Sequence, residues 1–212
     1  MKRFTLPVLT VLVLFAAVAA AVVWRPGEVA SQSTAETQAA SPGDFDGSFS
    51  LTDQNGMRRT DKDFRKKYML VFFGYTYCPD VCPTTLAIEA EALDKIGPRA
   101  GRIQPIFISV DPKRDTPDKL KAYLSSFDAT PPSPRLNFVG LTGTDEEIAQ
   151  AAKSYRVYYR AHIDGRIRDA DYSIDHTGDV YLMGPDGKFV AYYSQGVLPD
   201  ELATDLIEKI PG

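Results

Sequence analysis

Cys78 and Cys82 are the only two cysteines of the chain, and they stand four residues apart in Cys78-Pro79-Asp80-Val81-Cys82. Two thiolates at this spacing can close into a disulfide or hold a soft metal ion between them. On one face of a helical turn their Cβ atoms would lie roughly 5–6 Å apart. A disulfide asks for about 3.5–4.5 Å, so oxidation requires a local rearrangement. Metal–sulfur bonds of about 2.3 Å require no such closure. The spacing favours metal capture and leaves the disulfide within reach. Two cysteines that merely fill a core are the plainer reading, but that reading gives no reason for the pair to sit so close.

Two thiolates rarely complete a metal site, and the chain offers only two histidines as nitrogen donors. His176 lies in Asp175-His176-Thr177-Gly178, in a loop just before the apolar run Val180-Tyr181-Leu182-Met183. It can reach the cysteines if that run neighbours, in a sheet, the strand that leads to them. Spacing alone leaves His176 open between a ligand and an ordinary loop histidine. His162, in Arg160-Ala161-His162-Ile163, alternates along a polar strand and reads as a surface residue. A Cys78, Cys82, His176 set without a fourth strong ligand suits Cu(I), whereas zinc asks for a fourth. Neutral imidazole is the ligating form, so binding through His176 weakens as pH falls below about 6.

The elements around these residues read as an α/β domain. Met69 to Tyr75 is an apolar strand, and Pro83 opens a helix from Thr84 to Ile96 that Gly97-Pro98 stops. The cysteines thus sit where a strand hands over to a helix N-terminus, where N–H groups and the helix dipole favour thiolate. Before this strand, Phe49–Thr52 alternates and Asn55-Gly56 marks a hairpin. After it come a strand Ile103–Val110 with an irregular point at Pro105, and a helix capped at Thr116-Pro117-Asp118. A short strand Phe138–Leu141 and a Thr144/Glu147 capping box follow. Val180–Met183 and Phe189–Tyr193 form a hairpin around Gly184-Pro185-Asp186-Gly187, and an amphipathic helix runs from Pro199 to Ile210. Strands separated by helices imply right-handed crossovers and a largely parallel sheet, made mixed by the closing hairpin. A two-cysteine loop at the end of the first core strand is the thioredoxin arrangement, with three residues between the cysteines where the usual redox motif has two.

The first 25 residues stand apart. Met1-Lys2-Arg3 is a basic start, and the 21 residues Phe4–Trp24 carry no charge, long enough to span a bilayer. The small residues around Ala19-Ala20-Ala21 keep a cleavable signal as the alternative. Lys2 and Arg3 hold the N-terminus in the cytoplasm, and a bacterial inner-membrane protein with its soluble part in the periplasm is the simplest placement. Residues 26–43, rich in Ala, Ser, Gln and Thr, read as a flexible linker, and residues 44–212 as the folded domain. Without Lys2, Arg3 and Arg25 the chain has 21 basic residues against 28 acidic ones, a balance of −7 that points away from nucleic acid. Outside the cytoplasm a dithiol persists only with a bound metal or a reducing partner.

Three segments carry a resemblance. Phe73-Gly74-Tyr75-Thr76-Tyr77-Cys78-Pro79-Asp80-Val81-Cys82-Pro83 resembles the signature of the Sco/SenC proteins. Ser109 to Pro117 resembles their second block, and Asp171–Thr177 with Tyr181–Gly187 their third. The resemblance implies a thioredoxin-like domain behind a single membrane anchor, with copper held as Cu(I), or as Cu(II), by Cys78, Cys82 and His176. It also implies delivery of that copper to the dicopper centre of cytochrome c oxidase subunit II, with a copper-donating chaperone and a thiol reductant as further partners. Asp111 and Asp115 fall in the second block and read as turn and cap residues. Asp175 stays outside the ligand set, because adjacent side chains often point apart. The competing function is thiol–disulfide exchange, in which Cys78 attacks and Cys82 resolves the mixed disulfide. A peroxidase is weaker still, since no arginine can be placed beside one cysteine from sequence.

Overall fold

The computed structural model describes residues 46–127, 137–162 and 172–211. Every described residue belongs to one compact unit, Ala40–Gly212. The expected anchor and the whole of the expected linker lie outside the described residues. Among the described residues no helix is long and apolar enough to cross a membrane.

Nine strands are described: β1 (Ser50–Asp53), β2 (Arg58–Thr60), β3 (Tyr68–Gly74), β4 (Ile103–Ser109), β5 (Val139–Thr142), β6 (Tyr159–His162), β7 (Ser173–His176), β8 (Val180–Met183) and β9 (Phe189–Tyr193). The α-helices are α1 (Val81–Lys95), α2 (Pro117–Leu124), α3 (Asp145–Ser154) and α4 (Pro199–Lys209). Seven strands form one mixed sheet in the order β2-β1-β5-β4-β3-β8-β9, while β6 and β7 pair only with each other. The expected parallel character is confined to the centre. β3 and β5 each run parallel to β4, and every other pairing is antiparallel. That centre is the apolar part of the sequence, because strands covered on both faces need apolar residues at successive positions. Met69 to Phe73 are all buried accordingly.

Local signals account for most boundaries. Gly97 adopts φ +59 just after α1, a left-handed position that glycine accepts without strain. The capping box of α3 forms as expected: Thr144 Oγ1 accepts from the Glu147 N–H, and Glu147 Oε2 accepts from the Thr144 N–H. Two expectations need correction. Pro105 does not interrupt β4, which keeps its register with β3 through Leu70. The β5 ladder begins only at Ile106, so at Pro105 the strand is paired on one side and a missing N–H is tolerated. The first helix starts at Val81, three residues before Thr84, which draws Cys82 into its first turn.

α1 packs against α4 and buries Cys82, Leu86, Glu89 and Leu93 along one stripe. Glu89 breaks the apolar pattern. Its carboxyl is fully buried, neither oxygen has a hydrogen-bond partner among the described residues, and burial holds its pKa well above the usual carboxylate range. In the unfolded chain Glu89 ionises near pH 4.3, so stability is lost as pH rises from there toward the raised folded value. Glu89→Met is expected to raise stability at pH 7.5 by roughly 1–3 kcal/mol, the penalty of an unsatisfied buried polar group, and to flatten the decline between pH 5 and pH 8. Urea unfolding across that range measures both.

Candidate metal centre

The site is assembled at the end of the central strands. β3 ends at Gly74, the loop Tyr75–Asp80 follows, and α1 begins at once. Cys78 is half-buried in the loop and Cys82 is fully buried in the helix, both as free thiols. Gly74 explains how the second sulfur fits. A Cβ there would lie 2.8 Å from Cys82 Sγ and 2.9 Å from the Phe107 ring, so only glycine leaves room for this sulfur under the sheet. Isolated in an apolar strand, Gly74 is a signal of close approach that the sequence reading passed over.

His176 arrives from a different direction. β8 does neighbour β3, with Phe72 opposite Val180, which meets the condition set by the sequence. The histidine, however, ends β7 rather than sitting in a loop, and β7 belongs to the separate two-stranded ribbon, with Tyr159 opposite His176. Its imidazole stands edge-on to the rings of Tyr75 and Phe72, with centroids 5.9 and 6.0 Å away. Nδ1 lies 3.0 Å from the Thr177 carbonyl oxygen. A carbonyl can only accept, so Nδ1 carries the proton and Nε2 turns its lone pair to Cys82 Sγ at 3.4 Å. This is the tautomer a metal requires of a histidine.

Cys78 Sγ, Cys82 Sγ and the His176 nitrogen lie within 4.8 Å of one another, and they are the one such group of possible metal ligands among the described residues. The sequence-predicted trio is therefore brought together. His162 and Asp175 are not part of it. They pair with each other at 2.5 Å on the exposed side of the ribbon, because side chains alternate along β7 and send Asp175 away from the site.

The two sulfurs differ in charge. The neighbouring Cys82 side chain, opposed by partial burial and supported by the N–H groups of Cys82 and Asp80, lowers the Cys78 pKa to about 4. Cys82 is pushed up, first by its interaction with the Cys78 side chain and then by its burial. The pair releases one proton readily, from Cys78, and a second with difficulty.

Asp111 and Asp115 do more than turn and cap. Asp115 is fully buried and accepts from Ser109 Oγ at 2.6 Å, Thr76 Oγ1 at 2.5 Å and the Thr76 N–H at 3.0 Å. It thereby fastens the cysteine loop to the end of β4, across 39 residues that no local pattern spans. Burial raises its pKa against those hydrogen bonds. An open cavity of about 390 Å³ leads to the site past Tyr75, Pro79, Asp80, Ser173 and Gln195. A larger hollow of about 560 Å³, lined by Asp46, Phe49 and Lys153, contains none of the three ligands.

A dithiol and an imidazole at the rim of a mixed α/β domain define a protein that holds a soft metal ion or exchanges disulfides. The comparisons narrow the class. The SCO1/SenC family model matches residues 37–210, and the chain belongs to that family. It is 43% identical over 162 residues to the human mitochondrial protein SCO1 homolog, covering 76% of this chain and 51% of that protein. The chain spans about half the length of the curated relatives it matches. The structure of Bradyrhizobium japonicum ScoI with copper bound is 47% identical, with TM-score 0.66, covering 77% of this chain and 98% of that one. BsSco, a member of the Sco family of cytochrome c oxidase assembly proteins in which a disulfide switch has been identified, is 26% identical, with TM-score 0.55, covering 75% and 89%.

Two outcomes are expected. Iodoacetamide at about pH 6 should modify Cys78 of the reduced, metal-free protein and spare Cys82, read by peptide mass spectrometry. The Cys78 rate should hold nearly constant from pH 8 down to pH 5.5, since its thiolate is lost only as pH falls through about 4, whereas an ordinary thiol slows about tenfold per unit. Gly74→Ala should cost about 1–3 kcal/mol in thermal or chemical unfolding, the range for overpacking, because its new methyl meets Cys82 Sγ.

Proposed function

We propose that this protein is a membrane-tethered copper chaperone that carries Cu(I) on Cys78, Cys82 and His176 and delivers it to the dicopper centre of cytochrome c oxidase subunit II. The observation that carries the reading is the convergence of two sulfurs and one correctly protonated imidazole within 4.8 Å. These donors fit copper by their own chemistry: two soft sulfurs and one nitrogen, with no carboxylate among them, suit a monovalent ion that accepts low coordination. Cu(II) is the other state the same ligands could hold. The copper-bound relatives and the cytochrome c oxidase assembly role given for BsSco support the cargo and the destination.

Each residue has a distinct part. Cys78 is already a thiolate and meets the ion first. Cys82 must give up its proton to bind, so loading releases a proton and weakens in acid. His176 closes the third position, and the cavity at the rim leaves room for an incoming thiolate of the partner. Residues 1–25 serve as the anchor and residues 26–43 as a tether of about 20–25 Å that lets the domain, residues 44–212, lean over a neighbouring membrane protein. The apolar run Phe4–Trp24 behind Lys2 and Arg3 supports a bacterial inner-membrane placement with the domain in the periplasm. A copper-donating chaperone and a thiol reductant complete the expected partners.

A second reading, thiol–disulfide exchange, is favoured by one feature: a half-buried thiolate at Cys78 beside a buried thiol at Cys82. Cys78 would attack a partner disulfide, and Cys82, losing its proton, would displace the partner thiol and leave the Cys78–Cys82 disulfide. Anaerobic Cu(I) titration of the full chain against a chromogenic chelator separates the two. One tightly held copper per chain, weakened roughly 10–100-fold by His176→Ala, is expected for the chaperone. Copper indifferent to His176 would move the assignment to disulfide exchange, for which a ligand 94 residues away is irrelevant.

A further inference from the structure

Arg114 belongs to none of the ligand-bearing elements, yet it touches both of the segments that carry them. Its guanidinium carbon lies 3.6 Å from the centre of the Tyr172 ring, 4.7 Å from that of Tyr77 and 5.7 Å from that of Tyr75. Nη1 donates to the Tyr172 carbonyl at 2.9 Å, and Nε donates to Asp111. The second oxygen of Asp111 accepts from the Tyr172 hydroxyl at 2.5 Å, which closes a ring of contacts. The ring is secluded: the Arg114 side chain is 11% exposed and that of Asp111 is 2% exposed.

The places of these tyrosines in the chain give the ring its meaning. Tyr77 immediately precedes Cys78, and Tyr172 immediately precedes β7, four residues before His176. Tyr75 stands edge-on to the His176 ring, and its hydroxyl accepts from the Ile174 N–H at 3.3 Å. Among the described strands β7 pairs with β6 alone, and a two-stranded ribbon is at best marginally stable by itself. The large sheet fixes the cysteines but supplies no ladder to the histidine's strand. Something outside the ladders has to do so.

We propose that Arg114 is a positioning residue for the metal centre: by clamping Tyr172 with Asp111 and stacking on the tyrosines of the cysteine loop, it fixes β7 against that loop and so sets His176 Nε2 on the sulfurs. An arginine is needed for this. Its planar face stacks on aromatic rings while its edge donates in fixed directions, and lysine has neither property. The proposal rests on the three-ligand reading of the site.

The test uses the full chain as the native sequence, Arg114→Gln, Arg114→Lys and Tyr172→Phe, each with His176 and with His176→Ala. Cu(I) affinity is measured by chelator competition, and hydrogen exchange is measured on the metal-free proteins. In the His176 background the Arg114 variants should lose about tenfold in affinity, the usual scale for partners of a ligand, with less than a twofold further loss once His176 is gone. Exchange should quicken at the Ile174 and His176 amides and stay slow in β3. An equal loss in both backgrounds, or unchanged exchange in β7, would overturn the clamp. If His176→Ala alone leaves affinity unchanged, it is the three-ligand reading that fails, and exchange at β7 still decides the clamp. Should the Arg114 variants fail to fold, Tyr172→Phe, which removes a single hydroxyl, carries the same comparison with a smaller loss.

Discussion

The contact between the Cys82 sulfur and the His176 ring joins two parts of the chain that hydrogen-bonded ladders do not join. Cys82 is set by the large sheet, through the short step from β3 into α1. His176 is set by a ribbon that leaves the sheet after β5 and α3 and returns to it as β8. Because β8 lies beside β3, the ribbon re-enters at the end of the sheet where the cysteines emerge. Topology therefore delivers the imidazole to the right neighbourhood. The final ångströms come from contacts outside the ladders: the rings of Tyr75 and Phe72, the carbonyl of Thr177 and the arginine–aspartate ring at Tyr172.

Electrostatics follows from the same arrangement. A thiolate at Cys78 and two carboxyls at Asp111 and Asp115 crowd acidic groups around the end of β4. Each is managed differently. Cys78 takes hydrogen bonds from the start of α1, Asp115 takes three from Ser109 and Thr76, and Asp111 is paired with Arg114. Cys82 stays protonated because its interaction with the Cys78 sulfur and its burial together outweigh the one backbone N–H, that of Tyr75, that favours its anion. One side of the site is already anionic, and the other keeps its proton.

Much of this could be read before any coordinates. The apolar run of β3, the Thr144/Glu147 box and the turn at Gly184–Gly187 announce themselves, because each depends on residues close in sequence. The cysteine pair does so for the same reason, and His176 by scarcity, being one of two histidines. What stayed hidden depends on distance along the chain. Asp115 looks like a turn residue until Thr76 is seen to lie above it. Arg114 looks like one basic residue in Asp-Pro-Lys-Arg-Asp until Tyr172 stacks on it. The helix start at Val81 was concealed by Pro83, which fits a first helical position equally well when read alone. The antiparallel pairing of β1 with β5 was hidden too, since neither strand names its partner.

The two sulfurs also differ in freedom, which bears on how the molecule would announce its state. Cys82 is fully buried in the first turn of a helix, close against Gly74. Cys78 belongs to a loop whose next residues, Pro79 and Asp80, face solvent. Any change that draws the sulfurs together has to be made by the outer one, and it carries those exposed neighbours with it. A chemical event at a buried atom is thereby written in relief on the outside of the molecule, at Pro79 and Asp80.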